Sequence, residues 1–203
     1  MTLTLAVGRP TLADRIFTRK LATDIVLVAS GAALVSLLAQ LTVPMYPVPI
    51  TGQTLAVLLV GATLGAVRGI ISLSLYAVLG IVGLPVFSDA SSGFGIIAGP
   101  TGGYIIGFIV SAGLVGWLAQ RQWDHRILGA IAAFLAGTVA TFAVGMPWLA
   151  VVLNLTLEQT LEFGLYPFII GGLVKAALGA GIIRVAWAAV GSADTKAKLV
   201  DGE

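Results

Sequence analysis

The sequence predicts an all-α integral membrane protein with six transmembrane helices and both termini in the cytoplasm. Three observations predict it. Only 10% of the 203 residues are charged while 58% are hydrophobic, whereas a soluble domain carries about 25% charged residues. The apolar residues fall into long runs separated by short breaks rich in proline, glycine or charge, and roughly 20 such residues cross a bilayer. The basic residues sort to one side. With the N-terminus inside and six spans, Arg9, Arg15, Arg19, Lys20, Arg68, Arg121, Arg126, Arg184, Lys196 and Lys198 all fall inside; the remaining cation, Lys175, lies within a span. The outer loops then hold only Asp89, Glu158 and Glu162. A different span count would scatter these charges over both faces, against the positive-inside rule.

Taken in order, residues 1–20 form a basic cytoplasmic lead. The apolar run 21–43 is too long for the h-region of a signal peptide, about 7–15 residues, and lacks a convincing A-x-A site, so it is an uncleaved first span. Pro44, Pro47 and Pro49 make a corner, with Tyr46 suited to an interface. A short second span covers 50–64, and Arg68 marks a tight turn before the third span, 69–84. Residues 85–100 form a loop of Ser, Gly and Asp89 without a basic residue. The fourth span is 101–120, followed by the charged turn 121–126. The fifth, 127–144, is expected to break at Gly145-Met146-Pro147-Trp148. The stretch to Leu165 then reads as a lid or shallow interfacial helix, anchored by Trp148. The sixth span is 166–190 and a polar tail, 191–203, ends the chain. Residues 21–190 make one membrane domain.

Several function classes lack their residues. Cysteine is absent and His125 is the single histidine, so no metal site is expected. The spans contain no paired carboxylates, no H-E-x-x-H and no G-x-S-x-G, so no enzyme and no cofactor are predicted. The glycine-rich run 93–104 lacks G-x-x-x-x-G-K-[ST], so it is not a nucleotide loop. Basic residues interleaved with aromatics are missing, so nucleic acid is not a partner.

One charge stands apart. Lys175 lies in the middle of the last apolar run, nine residues past Tyr166, or roughly 13–14 Å along a helix. No acid lies within a turn on either side. A lone ammonium in hydrocarbon costs about 2.5–3.5 kcal/mol on insertion scales, so an intramembrane lysine faces a polar cavity or an anionic ligand. Polar groups on the outer half complete a candidate pocket: Gln53 at the start of the second span, Asp89 and Ser91 in the outer loop, Gly103 and Tyr104 opening the fourth span, and Asn154 in the last outer loop. Neutral hydrogen-bonding groups, apolar walls and one cation suit a small amphipathic organic acid. In the first span, Ala29 and Ala33 recur at four-residue spacing and make a flat face for helix contact.

The stretches VPMYPVPITGQTLAVLLVGATLG (43–65), GLPVFSDASSGFGIIAGPTGGYIIGF (83–108) and PFIIGGLVKAALG (167–179) resemble the BioY family, the biotin-specific S components of energy-coupling-factor transporters. The likeness is colinear over about residues 20–190, and its P-x-x-G-Q-T and G-P-T-G-G-Y runs are specific. The resemblance implies a plasma-membrane protein that captures biotin from outside. It also implies a transmembrane coupling subunit and ATPase subunits as partners, although some members work without a dedicated ATPase module. On this resemblance Lys175 matches the family's lysine, Ser91 falls near the position that touches the ureido ring, and Ala29 and Ala33 match the coupling-subunit contact. Gly172 stands where the family often carries an acidic residue. An S component for another small vitamin is the nearest alternative, and a membrane enzyme or passive channel a more distant one. A homo-oligomer is a further open alternative.

Overall fold

The computed structural model describes residues 4–200, with side chains through residue 192. Among the described residues four helices are long and apolar enough to cross a membrane: α2 (Leu21–Ala39), α6 (Gly102–Gln120), α7 (Ile127–Leu153) and the 166–192 part of α9 (Tyr166–Val200). Two shorter apolar helices, α3 (Gln53–Leu64) and α4 (Ala66–Ile81), stand between them. Three short helices, α1 (Leu12–Ile16), α5 (Phe94–Ala98) and α8 (Leu157–Gly164), lie in the connections.

Helix α6 is the hub. Within its span 72% of residues are buried, against 28% for α2 and α7 and 22% for α9, and it packs on α3, α4 and α7. Small residues permit this. A Cβ added to Gly61 of α3 would stand 2.7 Å from the Ala112 carbonyl of α6, and one added to Gly107 of α6 would stand 2.7 Å from that of Thr141 in α7. Such backbone approach is how helices associate in lipid, where burial of apolar surface gives no drive.

Three expected boundaries change. The first span ends at Ala39, and the proline corner is enclosed by a two-stranded antiparallel ribbon, β1 (Thr42–Val43) with β2 (Ile50–Thr51). The second helix therefore starts at Gln53, because Ile50 and Thr51 are spent on strand pairing. The break expected at Gly145–Trp148 is absent: α7 runs through Pro147 to Leu153. A proline removes one helical hydrogen bond, but a lipid-facing chain that left its helix would orphan several backbone groups. Tertiary contacts also hold this stretch. The Trp148 indole donates to the Gly99 carbonyl at 2.9 Å, and Gly145 packs beneath the Tyr104 ring. The apolar stretch after it forms α8, begun by a capping box between Thr156 and Gln159. Lys196 and Lys198 lie beyond the residues whose side chains are described.

A further change concerns charge. Arg68 is not a surface turn residue; it sits in the first turn of α4 and is 1% exposed. Its guanidinium meets Asp24 of α2 at 2.5 Å and Asp14 of α1 at 2.8 Å. Arg19 reaches Asp14 at 2.9 Å, and the Leu5 N–H donates to Asp24 at 2.6 Å. A buried arginine needs this partnering, since one left alone would cost several kcal/mol. Burial would raise the Asp14 pKa, but hydrogen bonds from Arg19, the Thr11 N–H and Arg68 outweigh it and hold the carboxyl below its ordinary value. The N-terminal segment is thus folded onto the end of the bundle where α3 meets α4, and the Gln120 amide also donates to the Val7 carbonyl there.

At the same end, the turn between α6 and α7 is tied to α9. The Trp187 indole donates to Asp124 at 2.7 Å, and Arg184 donates to the His125 carbonyl at 2.8 Å. Burial pushes the Asp124 carboxyl above its ordinary pKa, only partly opposed by the Trp187 bond and His125.

Candidate functional site

At the opposite end of the bundle a cleft opens with about 720 Å³ of atom-free space, its mouth included. The β1–β2 ribbon covers one side with Val48, Pro49, Ile50 and Thr51. Phe87 and Ser88 come from the loop before α5. Helix α6 supplies Tyr104, Ile105 and Phe108, and α7 supplies Thr138 and Phe142. Helix α9 supplies Phe168, Gly171, Gly172 and Lys175. The walls are apolar and aromatic. Tyr104 and Phe142 pack edge to face with ring centroids 5.9 Å apart, and Phe168 lies 5.8 Å from Phe142.

Lys175 reaches this cleft. Its Nζ donates to the Thr51 carbonyl at 2.5 Å and to the Thr54 hydroxyl at 3.0 Å. Among the described residues no carboxylate pairs with it; the ion pairs there all belong to the Arg68 cluster. One turn earlier on α9, Gly172 presents no side chain. A Cβ built there would have only Thr138 within 4 Å, and one on Gly171 would have nothing. The α9 backbone is therefore open to a ligand on this side.

Two other expected residues also line the cleft. Gln53, 6% exposed, donates from its amide to the Tyr76 hydroxyl at 3.1 Å, which fixes the side chain and leaves its oxygen unused by that bond. Tyr104 offers its ring rather than its hydroxyl, which donates to the Gly164 carbonyl at 3.0 Å and ties α6 to the end of α8.

The structure does not bring Gly103, Asp89, Ser91 or Asn154 into the lining. Gly103 faces the Trp148 side chain, so its lack of a Cβ serves helix packing. Asp89 is exposed in a left-handed backbone turn, φ 55°. Ser91 spends its hydroxyl on the Ser88 carbonyl at 2.6 Å, and Ser88 is the serine that lines the cleft. Asn154 is the left-handed C-cap of α7. Ala29 and Ala33 are both exposed along α2.

Sequence reasoning missed Thr54 and Thr138, and the aromatic wall of Phe108, Phe142 and Phe168. The aromatics carry no signal in the sequence, because an apolar residue reads alike whether it faces lipid, core or cleft. Thr54 had one: a second polar side chain, beside Gln53, at the start of a helix that then runs apolar as far as Ala62.

A family model described as the BioY family matches residues 10–192. The chain is 34% identical to the biotin transporter BioY2 of Lactococcus lactis subsp. cremoris, an alignment covering 79% of this chain and 90% of that protein. It is 36% identical to the biotin transporter BioY of Rhizobium etli, over 77% of this chain and 89% of that one. A crystal structure of the S-component for biotin from an ECF-type ABC transporter superposes with a TM-score of 0.73 at 29% identity. It covers 80% of this chain and 89% of its own.

Proposed function

We propose, from the premise that this chain belongs to the BioY family, that it is the biotin-binding S component of a membrane transporter and captures biotin from the outer side. It is a transport protein and not an enzyme. The observation that carries the biotin reading is the ammonium of Lys175, held only by neutral acceptors at the wall of an aromatic cleft. Biotin answers each part of that wall. Its valerate carboxylate takes the cation, its thiophane ring takes the apolar surface, and its ureido ring takes neutral donors and acceptors such as Gln53 and Ser88.

The topology follows from the same reading. The four long helices, joined by α3 and α4, make six crossings. At 12 and 16 residues, α3 and α4 rise only about 18 and 24 Å, so they cross with protein around them. The cleft lies at the end remote from Arg68, Arg121 and Arg184, which supports an outward mouth and cytoplasmic termini. On this arrangement residues 1–20 and 191–203 flank a single membrane domain in the plasma membrane. The exposed Ala29 and Ala33 of α2 are the contact for a transmembrane coupling subunit, which works with cytoplasmic ATPase subunits.

Equilibrium binding tests the proposal. Calorimetry on the purified chain is expected to give saturable biotin binding, and other vitamins are expected not to compete. Displacement of labelled biotin by an unrelated vitamin at equal concentration would move the assignment to another small vitamin, and absence of saturable binding would overturn it.

A further inference from the structure

We infer that Thr54 is a ligand-binding residue of the cleft: it holds the Lys175 ammonium through its oxygen and offers its own hydroxyl hydrogen to the same ligand oxygen. The inference rests on the biotin reading above and deepens it.

Six other helical hydroxyls show the usual arrangement from which Thr54 departs, while among the described residues Ser111 of α6 is buried without a partner. Ser36, Ser72, Thr63, Thr138, Thr141 and Thr160 each donate to the carbonyl four residues back. That local bond is the usual outlet for a hydroxyl inside a helix. Thr54 stands in the first turn of α3, and the residue four before it, Ile50, belongs to strand β2. No helical carbonyl lies behind it. Among the described residues its hydroxyl accepts from Lys175 Nζ and donates to nothing, yet Thr54 lines the cleft. A hydroxyl carries one donor besides its acceptor lone pairs, so a hydrogen remains for the ligand.

The ammonium has a matching remainder. Of its three N–H groups, two go to the Thr51 carbonyl and the Thr54 hydroxyl. One N–H of the ammonium and one O–H of Thr54 are left beside each other. Two adjacent donors, one charged and one neutral, suit an anionic oxygen such as a carboxylate. Thr54 also limits the freedom of a long side chain whose rotamer entropy would otherwise be lost on binding.

A double-mutant cycle on the full purified chain tests this, with biotin affinity by calorimetry or competition and unfolding temperature of the unliganded protein as readouts. Thr54→Val keeps the shape and removes the hydroxyl; it is expected to weaken biotin binding about five- to tenfold, one hydrogen bond's worth, at unchanged unfolding temperature. Thr54→Ser is expected to bind like the parent chain. In a Lys175→Met background, Thr54→Val is expected to add less than about twofold, because contacting residues are coupled. Parental affinity for Thr54→Val, loss in Thr54→Ser equal to that in Thr54→Val, or fully additive losses would each overturn the assignment while leaving the biotin reading in place. No binding by the parent chain would overturn both.

Discussion

Replacing Lys175 by methionine separates a ligand contact from a structural one. Methionine keeps an unbranched apolar stem and removes the charge. Two of the ammonium's three hydrogens are taken by Thr51 and Thr54, so the ligand is answered by the third. A hydrogen bond to a charged group contributes about 1.5–3 kcal/mol, which is roughly a 10- to 150-fold change in Kd. Stability should move differently. The unliganded protein loses two hydrogen bonds but no longer holds a half-buried cation without a carboxylate, and removing such a charge is often neutral or stabilising. Calorimetric titration with biotin and thermal unfolding in detergent are therefore expected to diverge: much weaker binding at an unfolding temperature equal to or above the parent's. A Kd within about threefold of the parent, less than 1 kcal/mol, would refute the role given to the ammonium. A collapse of unliganded stability would show that the lysine serves the fold.

Other substitutions probe the wall, the docking face and the buried ion cluster. Gly172→Leu puts a side chain where only Thr138 lies within 4 Å; a loss of biotin affinity of more than about tenfold at unchanged thermal stability is expected by calorimetry. Ala29→Trp is expected to spare biotin binding and abolish ATP-dependent uptake in cells, since Ala29 is exposed on α2 and away from the cleft. Asp14→Asn tests acid sensitivity. The folded-state pKa of Asp14 is lowered, so its stabilisation is present above the unfolded value, about 3.9, and is lost as pH falls through the folded value. The gap in unfolding temperature between the parent and Asp14→Asn should be full at pH 6 and close on acidification below about pH 4. A gap independent of pH would refute the ion-pair account. Asp124, raised by burial, contributes with the opposite sign, losing its share as pH rises through its own folded value.

How much of this was legible follows from what each residue must satisfy. The long apolar runs were legible because a bilayer sets their length. Lys175 was legible because an ammonium in hydrocarbon demands a reason. Arg68 was misread as a loop cation because its partners, Asp14 and Asp24, lie 54 and 44 residues away in sequence. Pro147 was misread as a break because the contacts that hold α7 on either side of it come from Tyr104 and Gly99 on another part of the chain. Of the pocket residues, Gln53, Tyr104 and Lys175 line the cleft while Gly103, Asp89, Ser91 and Asn154 do not. The outer-loop residues were chosen for polarity, and polarity alone does not separate a turn that satisfies itself, as Ser91 does with Ser88, from one that faces a ligand.

The Arg68 cluster also imposes an order on synthesis. Asp24 is translated 44 residues before the arginine that answers it, so the first long helix enters the translocon while its counter-ion is still unmade. The only groups available to that carboxylate at that moment are those already emerged, and the Thr4 hydroxyl and Leu5 amide are among them. The leading residues are thus the first of this carboxylate's partners in chain order, and they still hold it in the folded protein. A chain begun after them would leave the Asp24 carboxylate with Arg68, two helices downstream, as its remaining partner among the described residues.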